Sequence, residues 1–264
     1  NNRRYHNDNI STMIGIFDSG SGGLTVLKAI REQMPSADIL YFGDIKNAPY
    51  GEKPREELSR LTVNSIRVLQ TRGSTSIVSA CNSVSASLAV SLFDVLGLAQ
   101  QNLIEMVGPT VSCFTDFKKP ILLAATPATI LSELYQNAFR MLGITIDTVA
   151  IPKLAGAIEF GTPAKDQELL IAGACAAYDM KKYGALILAC THYPLALTSF
   201  RKVLGDVPFF DPAEAVAGRI KRQLWPREVG DGTLKFLVSR DTPQFRAHVT
   251  KLFPDASYVI EVLD

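Results

Sequence analysis

The chain has 264 residues, of which 47% are hydrophobic and 20% charged, and a formal net charge of +1. This is the composition of an ordinary soluble globular protein with ample core material, enough for one large or two smaller domains, and nothing in the charge points to nucleic acid or an anionic membrane surface. No apolar run reaches the roughly 18 residues needed to span a bilayer.

Residues 1–12 are polar and lack the apolar stretch of a secretory signal, so they are expected to form a flexible extension. Residues 13–17 read as a strand. Asp18-Ser19-Gly20-Ser21-Gly22-Gly23 then turns the chain into a helical pattern through Met34. A second strand over 38–43 leads to a loop containing Ala48-Pro49-Tyr50-Gly51. Pro54 suits a first helical position, and Gly73 suits the stop of the helix that follows. A third strand over 75–80 ends at Cys81, and a helix is expected over 83–96.

The pattern then restarts. A strand over 120–125 meets Thr126-Pro127-Ala128-Thr129, which opens a helix to Leu142, ended by Gly143. A strand over 144–151, helical stretches over 154–160 and 163–182, and a strand over 184–189 ending at Cys190 follow. The remainder reads as strands over 207–210, 234–239 and 258–262, with helices over 213–224 and 243–253. Strands alternating with helices predict an α/β fold of mostly parallel, doubly wound sheets.

Two intervals predict a duplication. Asp18 and Cys81 are 63 residues apart, Thr126 and Cys190 are 64 apart, and each interval runs from the end of one strand to the cysteine ending a later one. The expected organisation is therefore two pseudosymmetric domains facing a cleft. The first spans 13–98 plus 207–264, the second 99–206, with the tail returning to the first half because that half otherwise has only three strands.

The chemistry centres on the cysteines. Cys81, Cys113, Cys175 and Cys190 form no C-x-x-C motif and no cluster with zinc-ligand spacing, so free thiols in a reducing cytoplasm are expected. Cys81 and Cys190 stand where a strand ends and a helix begins, the edge at which α/β sheets bind ligands. A helix N-terminus favours thiolate and brings a thiol toward neutral pKa, where it can both take and give a proton. Two such thiols on opposite faces of a bound Cα would invert its configuration. Buried structural cysteines are the plain alternative, and it is the reading for Cys113 and Cys175, which lack polar neighbours of this kind.

The glycine-rich turn at 18–23 is neither G-x-G-x-x-G nor a P-loop, and it offers backbone N–H groups to a carboxylate rather than a dinucleotide. Asn82, Ser83, Thr126, Thr129 and Thr191 are small polar residues at strand ends, able to cap helices or to line a polar pocket. His192, two residues after Cys190, can assist the thiol or pair with substrate. Asp44 and Glu159 are either supporting carboxylates or solvated surface charges.

On these residues the chain resembles the glutamate racemases of the cofactor-independent aspartate/glutamate racemase superfamily. The resemblance rests on Gly15-Ile16-Phe17-Asp18-Ser19-Gly20 with Gly22-Gly23-Leu24-Thr25-Val26, Tyr41-Phe42-Gly43-Asp44, Pro49-Tyr50-Gly51, Ala80-Cys81-Asn82 and Cys190-Thr191-His192-Tyr193-Pro194-Leu195. It implies an interdomain active site without pyridoxal phosphate or metal. It further implies that Cys81, assisted by Asp18, deprotonates D-glutamate and that Cys190, assisted by His192, deprotonates L-glutamate. The implied substrate contacts are Ser19, Pro49, Tyr50, Gly51, Asn82, Ser83, Thr126, Thr129, Thr191 and His192, with Asp44 and Glu159 in support. The resemblance also implies cytoplasmic supply of D-glutamate for peptidoglycan and a possible homodimer, with no nucleic-acid or membrane partner. Ser83 stands where the family usually has threonine, and Ala128 where it usually has glycine; alanine would strain the turn if that position required φ > 0. A racemase of aspartate, a two-lobed amino-acid binder, and an enzyme using one cysteine as covalent nucleophile are the alternatives.

Overall fold

Ten strands in two wholly parallel sheets organise the described part of the chain. The computed structural model describes residues 13–85, 96–97, 99–224 and 230–263. The 1–12 extension and the middle of the helix expected over 83–96 lie outside the described residues. The first sheet holds β1 (Ile14–Asp18), β2 (Ile39–Gly43), β3 (Ser76–Ser79) and β4 (Leu103–Ile104). The second holds β5 (Ile121–Ala125), β6 (Asp147–Ala150), β7 (Ala185–Ala189) and β8 (Phe209–Phe210). Two later strands, β9 (Leu234–Val238) and β10 (Val259–Val262), join the first sheet.

The strand order is β10-β9-β2-β1-β3-β4 in one sheet and β6-β5-β7-β8 in the other. The block β2-β1-β3-β4 therefore repeats as β6-β5-β7-β8, and β9 and β10 extend the first copy at its β2 edge. The expected boundaries shift in two places. Leu103 and Ile104 pair with Ile77 and Val78, so the first sheet reaches past residue 98. Phe209 and Phe210 pair with Leu186 and Ile187, so the strand at 207–210 closes the second sheet rather than opening the return to the first. The return comes with β9, whose Phe236 packs edge-on to Tyr41, Phe245 and Tyr258 with ring centroids 5.5–5.9 Å apart. Each such pair adds about 0.5–1.5 kcal/mol beyond simple burial.

The central strands are buried on both faces, which is why they read as unbroken apolar runs. Alternation still decides which core each side chain enters. On β7 and just beyond it, Leu186, Leu188 and Cys190 join the core beneath the helix Ala164–Cys175, while Ala185, Ile187 and Ala189 join the core around Phe114, Tyr135 and Phe139. On β3 the same alternation sends Ile77 and Cys81 to one face and Val78 and Ala80 to the other. The helix Arg55–Thr71 ends as expected at Gly73, which has φ +90; the Ser74 N–H bonds to Leu69 O at 3.1 Å in a Schellman pattern.

The single helix expected from Thr126 to Leu142 is two helices, Pro127–Leu131 and Leu134–Met141. The break falls at Glu133, in the left-handed region at φ 56. Ala128 lies inside the first of these, and the described non-glycine residues with positive φ are Glu133 and Lys153. Alanine at 128 is therefore unstrained, and the concern raised by its departure from glycine does not hold.

Candidate active site

The register of the sheets fixes which residues of the two halves correspond. Ile14 pairs with Ser76 and Ile121 with Ala185, and Cys81 and Cys190 each stand five residues beyond those partners. The thiols are thus equivalent. Asp18, however, corresponds to Ala125, the last residue of β5, and Thr126 corresponds to Ser19. The near-equal intervals from Asp18 and Thr126 pair residues one position out of step, because the connections between strands differ in length. Counting onward from the cysteines, Ser83 corresponds to His192.

The expected site residues converge where the two sheet edges meet. Asp18, Ser19, Asp44, Tyr50, Gly51, Cys81, Asn82, Ser83, Thr126, Thr129, Glu159, Cys190, Thr191 and His192 are all buried, and Pro49 is partly buried. Hydrogen bonds join the halves directly. Thr191 Oγ1 donates to Asp18 Oδ2 at 3.0 Å, Tyr135 donates to Asn82 Oδ1 at 2.6 Å, and the Ser83 and Thr126 hydroxyls lie 2.9 Å apart. Thr126 also caps its own helix and reaches the Thr129 hydroxyl at 3.0 Å, so capping and site-lining are both realised.

The glycine-rich turn makes this approach possible. A Cβ on Gly20 would sit 2.5 Å from a Glu159 carboxylate oxygen, one on Gly22 would sit 2.5 Å from His192 Nδ1, and one on Gly51 would sit 2.5 Å from Thr126. The anion expected at the turn is supplied by the protein. The N–H of Ser21 donates to Glu159 Oε2 at 2.7 Å, and that of Gly20 donates to Asp18 Oδ1 at 2.8 Å.

The two thiols have different neighbours. Cys81 Sγ faces the Ser19 hydroxyl at 3.9 Å. Burial first, then the charges of Asp18 and Cys190, push its pKa up to about 12. Asp18 is itself raised, by burial that outweighs the attraction of His192 and the N–H groups of Gly20 and Gly23. The negative charge of an ionised Asp18 thus adds to burial in holding the proton on Cys81.

Cys190 Sγ lies 4.0 Å from His192 Nδ1, and His192 Nε2 lies 2.6 Å from Glu159 Oε2. Burial alone would lower the histidine, but its contacts with Cys190 and Glu159 override burial and hold its pKa well above the ordinary value. Glu159 is lowered, because His192 and Ser21 outweigh its own burial. His192 is thus an imidazolium at neutral pH, donating through both nitrogens.

Asp44 does not touch either thiol. It accepts from Tyr50 Oη at 2.6 Å and from Asn47 Nδ2, fixing the loop that carries Pro49, Tyr50 and Gly51. Glu159 is no surface charge. Sequence reasoning left its partner unassigned, because 33 residues separate it from His192.

Sequence reasoning also passed over Ser21 and His248. Ser21 Oγ donates to Glu159 Oε2 at 2.8 Å and lies 2.9 Å from His248 Nδ1. The one available signal was that His248 is among only three histidines in the chain. Among the described residues, no group of three or more His, Cys, Asp or Glu side chains could hold a metal ion, and no helix is long and apolar enough to cross a membrane.

A family profile described as Asp/Glu/Hydantoin racemase matches residues 21–220. A glutamate racemase of Ruegeria sp. is 32% identical over 257 residues, covering 90% of this chain and 95% of the relative. The crystal structure of glutamate racemase from Francisella tularensis in complex with D-glutamate superposes with a TM-score of 0.83 at 27% identity, over 96% of this chain and 98% of that one. An aspartate racemase from Picrophilus torridus shares the fold at a TM-score of 0.58 and 21% identity, over 80% of this chain and 94% of its own.

Proposed function

This chain belongs to the Asp/Glu/hydantoin racemase family, and on that premise we propose that it interconverts L- and D-glutamate by proton transfer between two thiols. The observation that carries the reading is the pair of buried cysteines at equivalent strand ends, each backed by a different acid–base partner. Glutamate is preferred to aspartate because the glutamate racemases match over nearly the whole chain.

In the L-to-D direction the Cys190 thiolate takes the Cα proton of L-glutamate and becomes a thiol. The electron pair left on Cα is delocalised into the adjacent carboxylate. Cys81, held as a thiol, gives its proton to the opposite face, leaving D-glutamate and a Cys81 thiolate. Exchange of protons with water then restores both sulfurs. In the reverse direction Asp18, whose pKa burial raises, accepts the Cys81 proton first; the Cys81 thiolate then takes the Cα proton of D-glutamate, and Cys190, protonated from His192, gives its proton to the opposite face.

Substrate is held by Ser19, the 49–51 loop and the polar strand ends. Asn82 supports this role: its Oδ1 is taken by Tyr135, while its buried Nδ2 has no hydrogen-bond partner among the described residues and is suited to a carboxylate. The same reading places the reaction in the cytoplasm, where free thiols persist. It makes D-glutamate for peptidoglycan the product used, and a homodimer the expected assembly.

The test incubates purified protein with L-glutamate in heavy water without added cofactor. The D-isomer should appear carrying deuterium at Cα, while L-glutamate recovered early stays unlabelled. Exchange and inversion of aspartate in place of glutamate would transfer the reading to the aspartate racemases, and neither reaction would end it.

A further inference from the structure

Glu159 Oε2 collects three donors: His192 Nε2, the Ser21 N–H and the Ser21 hydroxyl. Because the single hydrogen of that hydroxyl points to Glu159, the Ser21 oxygen must accept from its other neighbour, His248 Nδ1 at 2.9 Å. The far nitrogen of His248 lies 2.9 Å from Gln244 Nε2, which donates to it. His248 is therefore a neutral imidazole with its hydrogen on Nδ1, and burial favours that neutral form. The helix Pro243–Leu252 holds the ring in place. Thr242 caps it, and Phe245 and Val249 bury its inner face in the first core. A continuous run of hydrogen bonds thus leads from the first half, through the turn, to the histidine beside Cys190.

We propose that His248 is a positioning residue for the Cys190 side of the site, aiming the Ser21 hydroxyl at Glu159 and so keeping His192 charged and in place. This rests on the racemase reading above. Besides Ser21 and Gln244, the charges that act on His248 are Glu159 and His192 from the second half and Lys251 from its own helix. It also borders a cavity of about 260 Å3 with Lys28, Glu32, Asp211 and Glu214. Without the His248 donor the serine hydroxyl is free to turn away, Glu159 loses a hydrogen bond, and His192 gives up its proton at lower pH.

The experiment measures kcat and KM from L-glutamate across pH for the wild type, His248→Leu, His248→Asn and Ser21→Ala. Asparagine places an amide donor where Nδ1 stands and does not titrate. His248→Leu is expected to lower kcat roughly five-fold, with KM changed less than about two-fold, and to move the alkaline limb of kcat to lower pH. His248→Asn is expected to restore both. Ser21→Ala, which removes only the hydroxyl, should match His248→Leu and provides the test should that variant not fold; combining the two should add nothing. The proposal is overturned if His248→Leu keeps the wild-type rate and limb, if His248→Asn is as impaired as His248→Leu, or if the losses at 21 and 248 add. An inactive wild type would instead count against the racemase reading itself.

Discussion

The Cys81 and Cys190 halves of the site are built alike and charged differently. Both thiols end the third strand of the same four-strand block, five residues past equivalent register points. Yet the position that is Asp18 in one half is Ala125 in the other, and the position that is His192 in one is Ser83 in the other. A carboxyl that resists ionisation backs one sulfur, and an imidazolium backs the other. A symmetric scaffold can place two bases on opposite faces of one carbon. The two departures from symmetry give the sulfurs different acid–base partners, so the two proton transfers that inversion requires are not made by identical groups.

The largest test of that comparison removes either thiol. Cys81→Ala and Cys190→Ala should each lower racemisation on the order of 10³-fold or more, followed by chiral separation of product. Near-normal turnover in either variant would break the pairing of the halves.

Next in size is Glu159→Gln, which keeps the shape of the carboxylate and removes its charge. The kcat from L-glutamate should fall about 10- to 100-fold, the cost of losing a charged hydrogen bond at a buried histidine. The enantiomers have equal free energy in water, so kcat/KM must fall equally in both directions, and any asymmetry shows in kcat and KM together. The same pair sets a pH window for stability. The contribution from Glu159, whose folded pKa is lowered, is lost as pH falls through that pKa; the contribution from His192, whose folded pKa is raised, is lost as pH rises through its own. The acid and alkaline losses of thermal stability should both shrink in Glu159→Gln.

Thr126→Val, at the seam where Ser83 meets Thr126, should destabilise by about 1–2 kcal/mol and lower Tm by a few degrees. Smallest is Ala128→Gly. Because Ala128 is helical, glycine should cost about 1 kcal/mol of stability or less and leave kcat within about two-fold; a gain in activity would show that the turn needs more freedom than its backbone angles indicate.

Cys81, Cys190, Asp18 and His192 were legible because each sits at a strand end, and the apolar runs of β1, β3, β5 and β7 mark those ends clearly. The partners were harder. Glu159 looks solvent-exposed in sequence because its helix, Leu154–Glu159, is too short to display an amphipathic face. Ser21 passes for a spacer between glycines, and His248 lies 227 residues from it. The strand Leu103–Ile104 is two residues long, below any readable pattern. Phe209 and Phe210 carry no mark of which sheet they join; a short return from the helix Leu197–Leu204 places them beside β7.

The difference between the two thiols is most directly measured by their alkylation with iodoacetamide as a function of pH, resolved for each cysteine by peptide mass spectrometry. Only thiolate reacts. Glu159→Gln, which disturbs the histidine beside Cys190, should change the labelling of Cys190 and leave that of Cys81 in place. Cys81, with its pKa pushed up to about 12, should label only under strongly alkaline conditions. Coincident pH profiles for the two cysteines, unmoved by Glu159→Gln, would contradict the account.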